Sequence, residues 1–191
     1  MCSSDLLTLF VGATAERTSA AFTATQPVVG SLSSGTVALD TGGVHRLTFG
    51  GADLTAIGPG ANFSQTITVV NASTVTVPSP MTDIALWLDN ASAPADPGDL
   101  GAVLQVTITR SIGGGAAATL YAGSLAGLVD RTGFASPIGA LWSSQNAGSA
   151  TGSSATSATY TFSFSLPASS SSGAGSSVAA SFVFEARNRT E

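Results

Sequence analysis

The sequence predicts an all-β protein: an antiparallel β-sandwich or jelly roll with one short helical element. Three observations support this class. Short segments of alternating polar and apolar residues recur between turns rich in glycine, proline and serine. Only 9% of the 191 residues are charged, against about 25% in typical globular domains, and the hydroxyl and β-branched residues that replace them favour sheets. A helical pattern is confined to residues 124–129.

The clearest strand follows a turn at Gly58, Pro59 and Gly60 and ends at Asn71. Glycine and proline supply the unusual or fixed backbone angles that such a turn requires. Successive side chains of a strand point to opposite faces of the sheet. The two predicted faces are Gln65, Ile67 and Val69, and Thr66, Thr68 and Val70.

Two strands near the end of the chain are predicted from apolar, largely aromatic residues at every second position. Residues 158–166 place Tyr160, Phe162 and Phe164 on one face, and residues 178–187 do the same with Phe182 and Phe184. The two strands are predicted to pair antiparallel across the glycine- and serine-rich residues 169–177. Each apolar side chain that they bury contributes about 1.5–3 kcal/mol to stability.

Six further strands are predicted from shorter segments, at residues 20–25, 35–39, 44–49, 81–88, 103–110 and 117–121. Residues 134–157 are interpreted as a loop, because Ser, Gly and Ala dominate there. Trp87, inside an apolar strand, is expected in the core, and Trp142, beside two serines, is expected to be the more exposed tryptophan. These elements fit a single domain over residues 21–191.

The first twenty residues are interpreted as a truncated signal-peptide remnant. Residues 6–15 are apolar and run into small residues, as the end of a signal peptide does, but the usual basic residues do not precede them. Residues 1–6 are consistent with a translated sequencing-adapter end, and the alternative is a genuine short N-terminus. Cleavage after Ala15 or after Ala20 fits the preference for small residues at the cleavage site.

Charge and composition argue against several classes of partner. The net charge is −5, and all six basic residues are arginines scattered along the chain, so no basic patch for nucleic acid is expected. No internal segment has the roughly 18 apolar residues of a membrane-spanning helix, and no membrane contact is expected of the mature chain. Cys2 is the only cysteine, which rules out an intrachain disulfide.

Four groups of residues, in order along nearly the whole chain, resemble the TasA/camelysin family of bacterial secreted proteins. The first is the small-residue junction at Ala20, then Phe22 and the segment SGTVAL at 34–39. The second is Leu54, the Pro-Gly turn at 59–60 and the strand that ends at Asn71. The third is the strand 103–109 followed by LYAG at 120–123, and the fourth is YTF at 160–162 with FVFEA at 182–186. One departure is Ala61, where the family's turn often carries an acidic residue.

The resemblance implies a SipW-dependent type of signal peptide, a jelly-roll subunit, and secretion to the extracellular matrix or cell surface. Members of the family include biofilm-matrix fibre subunits, in which an N-terminal strand of one subunit is inserted into the sheet of the next. Alternatively, the same segment pairs within its own sheet as an ordinary first strand, since both arrangements need a sheet edge with unpaired groups. The implied assembly strand is residues 21–29, with Phe22 as its anchor. Its residues include Ala21, Phe22, Thr23, Val28 and Val29.

Some family members are described as metallopeptidases, and that activity would require a catalytic site in this sequence. The HExxH type of zinc peptidase needs two histidines on one helical face and a glutamate base. His45 is the only histidine, and its neighbours have the pattern of a strand, which favours an exposed or hydrogen-bonded strand histidine. There is also no Gly-x-Ser-x-Gly elbow. No catalytic residue and no cofactor are predicted.

A cluster of oxygen-bearing side chains in residues 89–99 is the one weak indication of a metal site. Oxygen ligands suit calcium, but the spacing does not match an EF-hand, and a solvated acidic loop is the alternative. The calcium candidates are Asp89, Asn90, Asp96 and Asp99.

The sequence therefore favours a non-enzymatic, secreted structural subunit whose main partner is a second copy of itself in a fibre, with other matrix proteins as further candidates. One alternative is a camelysin-like metallopeptidase. The other is a monomeric surface adhesin or carbohydrate-binding β-sandwich, in which Trp87 or Trp142 would stack on a sugar.

Overall fold

The computed structural model describes residues 35–40, 42–49, 59–74, 79–89, 100–146, 156–170 and 178–189. This part of the chain is built mostly of strands and forms an all-β sandwich, as the sequence predicts. Its nine strands are β1 Gly35–Leu39, β2 Val44–Phe49, β3 Asn62–Asn71, β4 Met81–Leu88, β5 Gln105–Ile112, β6 Ala118–Ser124, β7 Trp142–Gln145, β8 Ser157–Ser165 and β9 Ala180–Asn188. Two single-turn helices accompany them: α1, Leu100–Val103, and a 3₁₀ helix, Leu125–Leu128.

The strands form two sheets. The five-stranded sheet has the order β1-β3-β8-β5-β6, and the four-stranded sheet has the order β2-β9-β4-β7. Eight strands pair antiparallel in a nested way: β2 with β9, β3 with β8, β4 with β7, and β5 with β6. β1 lies outside this nesting and is parallel to β3 at the end of the five-stranded sheet.

The alternating patterns place one face of each sheet in the core. In β3, Gln65, Ile67 and Val69 are buried while Thr66 and Thr68 are half-exposed, which confirms the predicted faces. β5 begins two residues later than predicted; Val106 and Ile108 are buried as their alternation predicts, whereas Ile112 at its end is exposed. The turn before β3 needs a residue with positive φ, and Gly60 supplies it at 82°.

The centre of the core is a contact between the aromatic faces of β8 and β9. The rings of Phe162 and Phe182 lie 4.9 Å apart, as do those of Tyr160 and Phe184. Phe49 of β2 completes the group, with its ring centroid 5.3 Å from that of Phe162. All five side chains are fully buried, and tilted or edge-on rings at these distances add attraction beyond the burial of area.

The prediction that β8 and β9 pair with each other in one sheet is wrong. β8 lies between β3 and β5, and β9 lies between β2 and β4 in the opposite sheet. Both strands have an apolar face that water must not reach. If β8 and β9 were paired side by side in one sheet, another element would have to cover both apolar faces. Because they pack face to face from opposite sheets, the two faces shield each other from water.

The interpretation of residues 134–157 as a loop is wrong in part, because β7 lies within them and pairs with β4 from Met81 to Ile84. The expected exposure of the two tryptophans is also reversed. Trp142 starts β7 with its ring in the core, only 2% exposed. Trp87 is half-buried on the outer face of β4, and its indole N–H donates to the Glu185 carboxylate over 3.1 Å.

Short helical turns close one end of the sandwich. The predicted helical segment 124–129 is confirmed as the 3₁₀ helix, whose Leu125 and Leu128 are buried. α1, which the sequence pattern did not indicate, packs beside it and buries Leu100. The Leu125 N–H donates to the Leu104 carbonyl oxygen over 2.9 Å, which ties the two turns together.

A buried polar cluster joins the two sheets where β3 ends. The side-chain amide of Asn71 donates to the Gln145 carbonyl oxygen and to Asn146 Oδ1, both over 3.0 Å. Thr82 donates to the same Asn146 oxygen over 2.7 Å. Asn71 Oδ1 in turn accepts from the Ser73 N–H over 3.0 Å. Buried polar groups with satisfied partners fix one arrangement, so Asn71 sets where β3 stops against β4 and β7.

Truncating a phenylalanine at the centre of the core should cost more stability than truncating one at its rim. Phe162→Ala is expected to lower the free energy of unfolding by about 3–5 kcal/mol, because it leaves a cavity among fully buried rings. Phe63→Ala is the matched control, and roughly half that loss or less is expected because Phe63 is only partly buried. Guanidinium denaturation measures both values, and equal losses would contradict the proposed centre of the core.

Candidate assembly edge

The residues predicted to form the assembly strand, Ala21, Phe22, Thr23, Val28 and Val29, lie outside the described residues, as do Asn90, Asp96 and Asp99 of the predicted calcium site. The described part of the chain begins with β1, which follows the predicted assembly strand in the sequence.

β1 adds to the five-stranded sheet through its parallel pairing with β3, from Gly35 opposite Ile67 to Leu39 opposite Asn71. It buries Val37 and Leu39 under the edge of the core and leaves Thr36 and Ala38 exposed. The sequence predicted this strand and the shared face of Val37 and Leu39. It did not indicate that the strand would be parallel to its neighbour.

The backbone groups of β1 alternate between the sheet and its open edge. The Ala72 N–H donates to the Leu39 carbonyl oxygen over 2.8 Å, which shows that Leu39 directs its backbone groups toward β3. Because N–H and C=O groups of successive residues in a strand point to opposite sides, those of Thr36 and Ala38 point away from β3. Among the described residues no strand pairs with this side of β1, and such an edge is one that another strand could extend.

Of the four end strands among the described residues, β1 carries the fewest features that block such an extension. Natural edge strands are blocked by charges, proline, bulges or short length. β7 has only four residues, β2 carries the exposed Arg46, and the pairing of β6 with β5 is irregular between Ile108 and Thr109. The sequence of β1, GTVAL, contains no charge and no proline, and its register with β3 is uninterrupted.

A tight turn between Asp40 and Gly43 carries the chain from β1 to β2 in the other sheet. The Gly43 N–H donates to the Asp40 carbonyl oxygen over 2.7 Å, and Gly42 adopts a φ of 83°. The turn is attached to β9, since the Gly42 N–H donates to the Ala186 carbonyl oxygen over 2.7 Å. These hydrogen bonds set the position of β1 relative to β9, one of the two inner strands of the opposite sheet.

Asp89 is not part of a solvated loop. It is buried at the end of β4, where its carboxylate forms an ion pair with the Arg46 guanidinium and its N–H donates to the Ser181 carbonyl oxygen over 2.8 Å. An arginine already supplies the positive charge that a calcium ion would bring. Among the residues that the structure describes, no three His, Cys, Asp or Glu side chains group as metal ligands.

His45 lies on β2, as predicted, but its imidazole faces the core and is only 7% exposed. Burial lowers the pKa of His45 below its ordinary value of 6.5, because desolvation disfavours the charged ring. At neutral pH its imidazole is therefore uncharged.

The described helices are single turns, and none of them has the length and apolar character needed to span a bilayer. No protein-family model and no curated protein matches the chain. The resemblance to the TasA/camelysin family rests on its sequence motifs.

Adding a methyl group to the turn after β1 should destabilise the sandwich. A Cβ on Gly43 would lie 2.8 Å from the Asp40 carbonyl oxygen, a backbone atom that cannot move aside. Gly43→Ala is expected to lower the free energy of unfolding by about 1–3 kcal/mol. Gly133→Ala is the matched control, since a Cβ there meets nothing within 4 Å, and a change within about 0.5 kcal/mol is expected. Thermal melting compares them, and an equal effect of both changes would contradict this account of the turn.

The folded protein should lose stability as the pH falls through the range in which histidine titrates. His45 has a lowered pKa in the folded state, so the unfolded chain binds more protons below about pH 6.5, and stability rises with pH there. The slope is at most about 1.4 kcal/mol per pH unit for one group. Denaturation at pH 7.5, 6.5 and 5.5, above the range of ordinary carboxylates, measures it. His45→Gln should flatten this dependence, and an unchanged slope in the variant would rule out His45 as its source.

Proposed function

We propose that this chain is a secreted structural subunit that polymerises into extracellular fibres when a strand from one subunit extends the β1 edge of the next. The observation that carries the proposal is the outer edge of β1, where the backbone groups of Thr36 and Ala38 point away from β3 and no described strand pairs with them. The donor is the segment 21–29, with Phe22 as its anchor, and the partner is a second copy of the same chain.

The strand order supports the jelly-roll assignment within this proposal. Folding a long antiparallel hairpin over on itself pairs the first strand with the last, the second with the one before the last, and so on inward. β2 to β9 pair in this nested order. β1 is then an addition to an eight-strand jelly roll, and in the chain it lies between residues 21–29 and β2.

The donor strand must contribute more than main-chain hydrogen bonds to the free energy of association. The outward N–H and C=O groups of Thr36 and Ala38 allow about four main-chain hydrogen bonds of roughly 1 kcal/mol each, which corresponds to millimolar association. A buried aromatic anchor adds about 2–3 kcal/mol, and Phe22 is the aromatic residue of the segment. Assembly should therefore depend on both the edge and the anchor.

The two other functions considered from the sequence gain no support from the described residues. His45 is buried in a strand rather than placed for metal binding, and Trp142 is in the core. Trp87 is half-buried, and its indole N–H donates to Glu185.

A proline at the outward position of β1 should block assembly without unfolding the subunit. Ala38→Pro removes an N–H that points away from β3, and proline is tolerated at such positions of edge strands. The matched control is Ala38→Thr, which keeps the N–H and suits a strand. Electron microscopy and light scattering of the mature chain from Ala21 should show filaments for the parent chain and Ala38→Thr, and monomers for Ala38→Pro with a melting temperature close to that of the parent chain.

Donor-side variants separate fibre assembly from pairing within one chain. Phe22→Ala and deletion of residues 21–29 should each abolish filaments and leave folded monomers. If the segment instead pairs with its own β1, the parent chain stays monomeric at every concentration, and the deletion lowers its melting temperature. That result, or filaments of Ala38→Pro indistinguishable from those of the parent chain, would overturn the proposal.

A further inference from the structure

An arginine occupies a core-facing position near the end of β5. The side chains of this strand that point toward the core include Val106, Ile108 and Arg110, and the first two are fully buried. Arg110 continues this apolar row and is half-buried. A charge in such a row needs an electrostatic partner, because the burial of an unpaired charge is costly. The groups around Arg110 therefore indicate what that partner is.

No carboxylate of the described residues pairs with Arg110. The ion pairs found among those residues use three other arginines, Arg46, Arg187 and Arg189. Within the described part of the chain, the Arg110 guanidinium donates one hydrogen bond, from Nη1 to the Ala140 carbonyl oxygen over 2.8 Å. A guanidinium has five N–H donors, and a neutral carbonyl oxygen leaves its positive charge unbalanced.

A buried hydroxyl without a partner lies beside this guanidinium. Tyr160 is directly opposite Arg110 in the antiparallel pairing of β5 with β8, so their Cβ atoms are about 4.5–5.5 Å apart on one face. Tyr160 is fully buried, and its hydroxyl has no hydrogen-bond partner among the described residues. Burial raises the pKa of Tyr160, and the nearby Arg110 guanidinium opposes this rise. A buried donor without an acceptor is costly, and a bound water or ion is the usual explanation.

The segment that enters β7 closes over this end of the sandwich. Ala140, which accepts the hydrogen bond from Arg110, lies two residues before Trp142 at the start of β7. Gly139 passes close to β6, since a Cβ on it would lie 2.9 Å from the Cβ of Leu120. Trp142 is buried, and its indole N–H is a second donor without a partner among the described residues. Donors without acceptors therefore occur on both sides of the contact between Arg110 and Ala140.

This set of groups selects a ligand that accepts hydrogen bonds and carries one negative charge. A guanidinium and an indole N–H are donors only. A water would itself donate two hydrogens and would leave the guanidinium charge unbalanced. An anion accepts from every donor and neutralises the charge, and hydrogen bonds to an ionised group are about twice as strong as those between neutral groups. The single positive charge of Arg110 matches a monovalent anion, and the buried side chains around it favour a small one.

We infer that Arg110 and the Tyr160 hydroxyl bind one small monovalent anion, of the size of chloride, between β5, β8 and the segment that enters β7. Arg110 and Tyr160 belong to the five-stranded sheet, and Arg110 also contacts the segment that enters the four-stranded sheet. The anion thereby stabilises the junction of the two sheets. This inference goes beyond the proposed fibre assembly and does not depend on it.

Chlorine-35 NMR of the full chain tests the inference, because chloride that exchanges onto a protein gives a broader resonance than the free ion does. Arg110→Gln removes the charge, and Tyr160→Phe removes the hydroxyl and keeps the buried ring. Each should weaken chloride binding at least about tenfold, as expected for the loss of a hydrogen bond to an ion. Arg131→Gln is the matched control, because Arg131 also lacks an ion pair among the described residues and donates only to the Pro137 carbonyl oxygen there, over 3.5 Å. It should leave binding unchanged.

Thermal melting gives a second measurement on the same variants. Replacing gluconate by chloride at constant ionic strength should raise the melting temperature of the parent chain and of Arg131→Gln, because an ion that binds the folded state stabilises it. The melting temperature of Arg110→Gln should not change.

Chloride broadening that is equal in the parent chain and in Arg110→Gln would overturn the inference and leave a water as the partner of Tyr160. An equal loss in Arg110→Gln and Arg131→Gln would also overturn it, because the effect would then be general screening of charge. If Arg110→Gln does not fold, Tyr160→Phe decides the question, and chloride binding as strong as in the parent chain would contradict the site.

Discussion

The face-to-face contact of β8 and β9 is the interaction on which the rest of the structure depends. Their aromatic rings meet across the sandwich at centroid distances near 5 Å, and Phe49 of β2 joins them. Each of the two strands also has a hydrogen-bonded neighbour on both sides. Removing these rings from water therefore fixes the sheets against each other and, through the pairings, the positions of six strands.

This arrangement also determines what β8 and β1 present outside the core. β8 turns the side chains that alternate with its buried rings, Thr159, Thr161 and Ser163, away from the core. β1 contributes less to the core, with only Val37 and Leu39 buried, and it lies outside the nested pairing. Among the described strands β1 pairs only with β3, and a further strand can add to the other side of such a strand.

The sequence predicted the fold class and most strands because alternation is a local property. It also predicted the end of β3 at Asn71, although only the structure shows why that residue stops the strand. Strand partners depend on residues far apart in the chain, so the pairing of β8 with β9 was predicted wrongly. β7 was missed because its Trp-Ser-Ser-Gln sequence sits among serines and glycines, and Trp142 is buried only because β4 lies beside it.

The candidate assembly edge at β1 was less predictable from the sequence than the fold class was. The sequence located β1 but not its parallel pairing, which decides which backbone groups remain open. The acidic residues from Asp89 onward suggested a loop, whereas Asp89 is paired with Arg46 from a strand more than forty residues earlier. The sequence shows Ser and Thr alternating in β3, β5 and β8, but only the strand register aligns them across the sheet.

Hydrogen exchange at the backbone amides of β1 tests the central claim most directly. In dilute monomers, the amides of Thr36 and Ala38 should exchange rapidly while those of Val37 and Leu39 are protected by β3. In assembled fibres, the amides of Thr36 and Ala38 should become protected as well. Rapid exchange of both amides in fibres, or their protection already in dilute monomers, would contradict assembly at this edge.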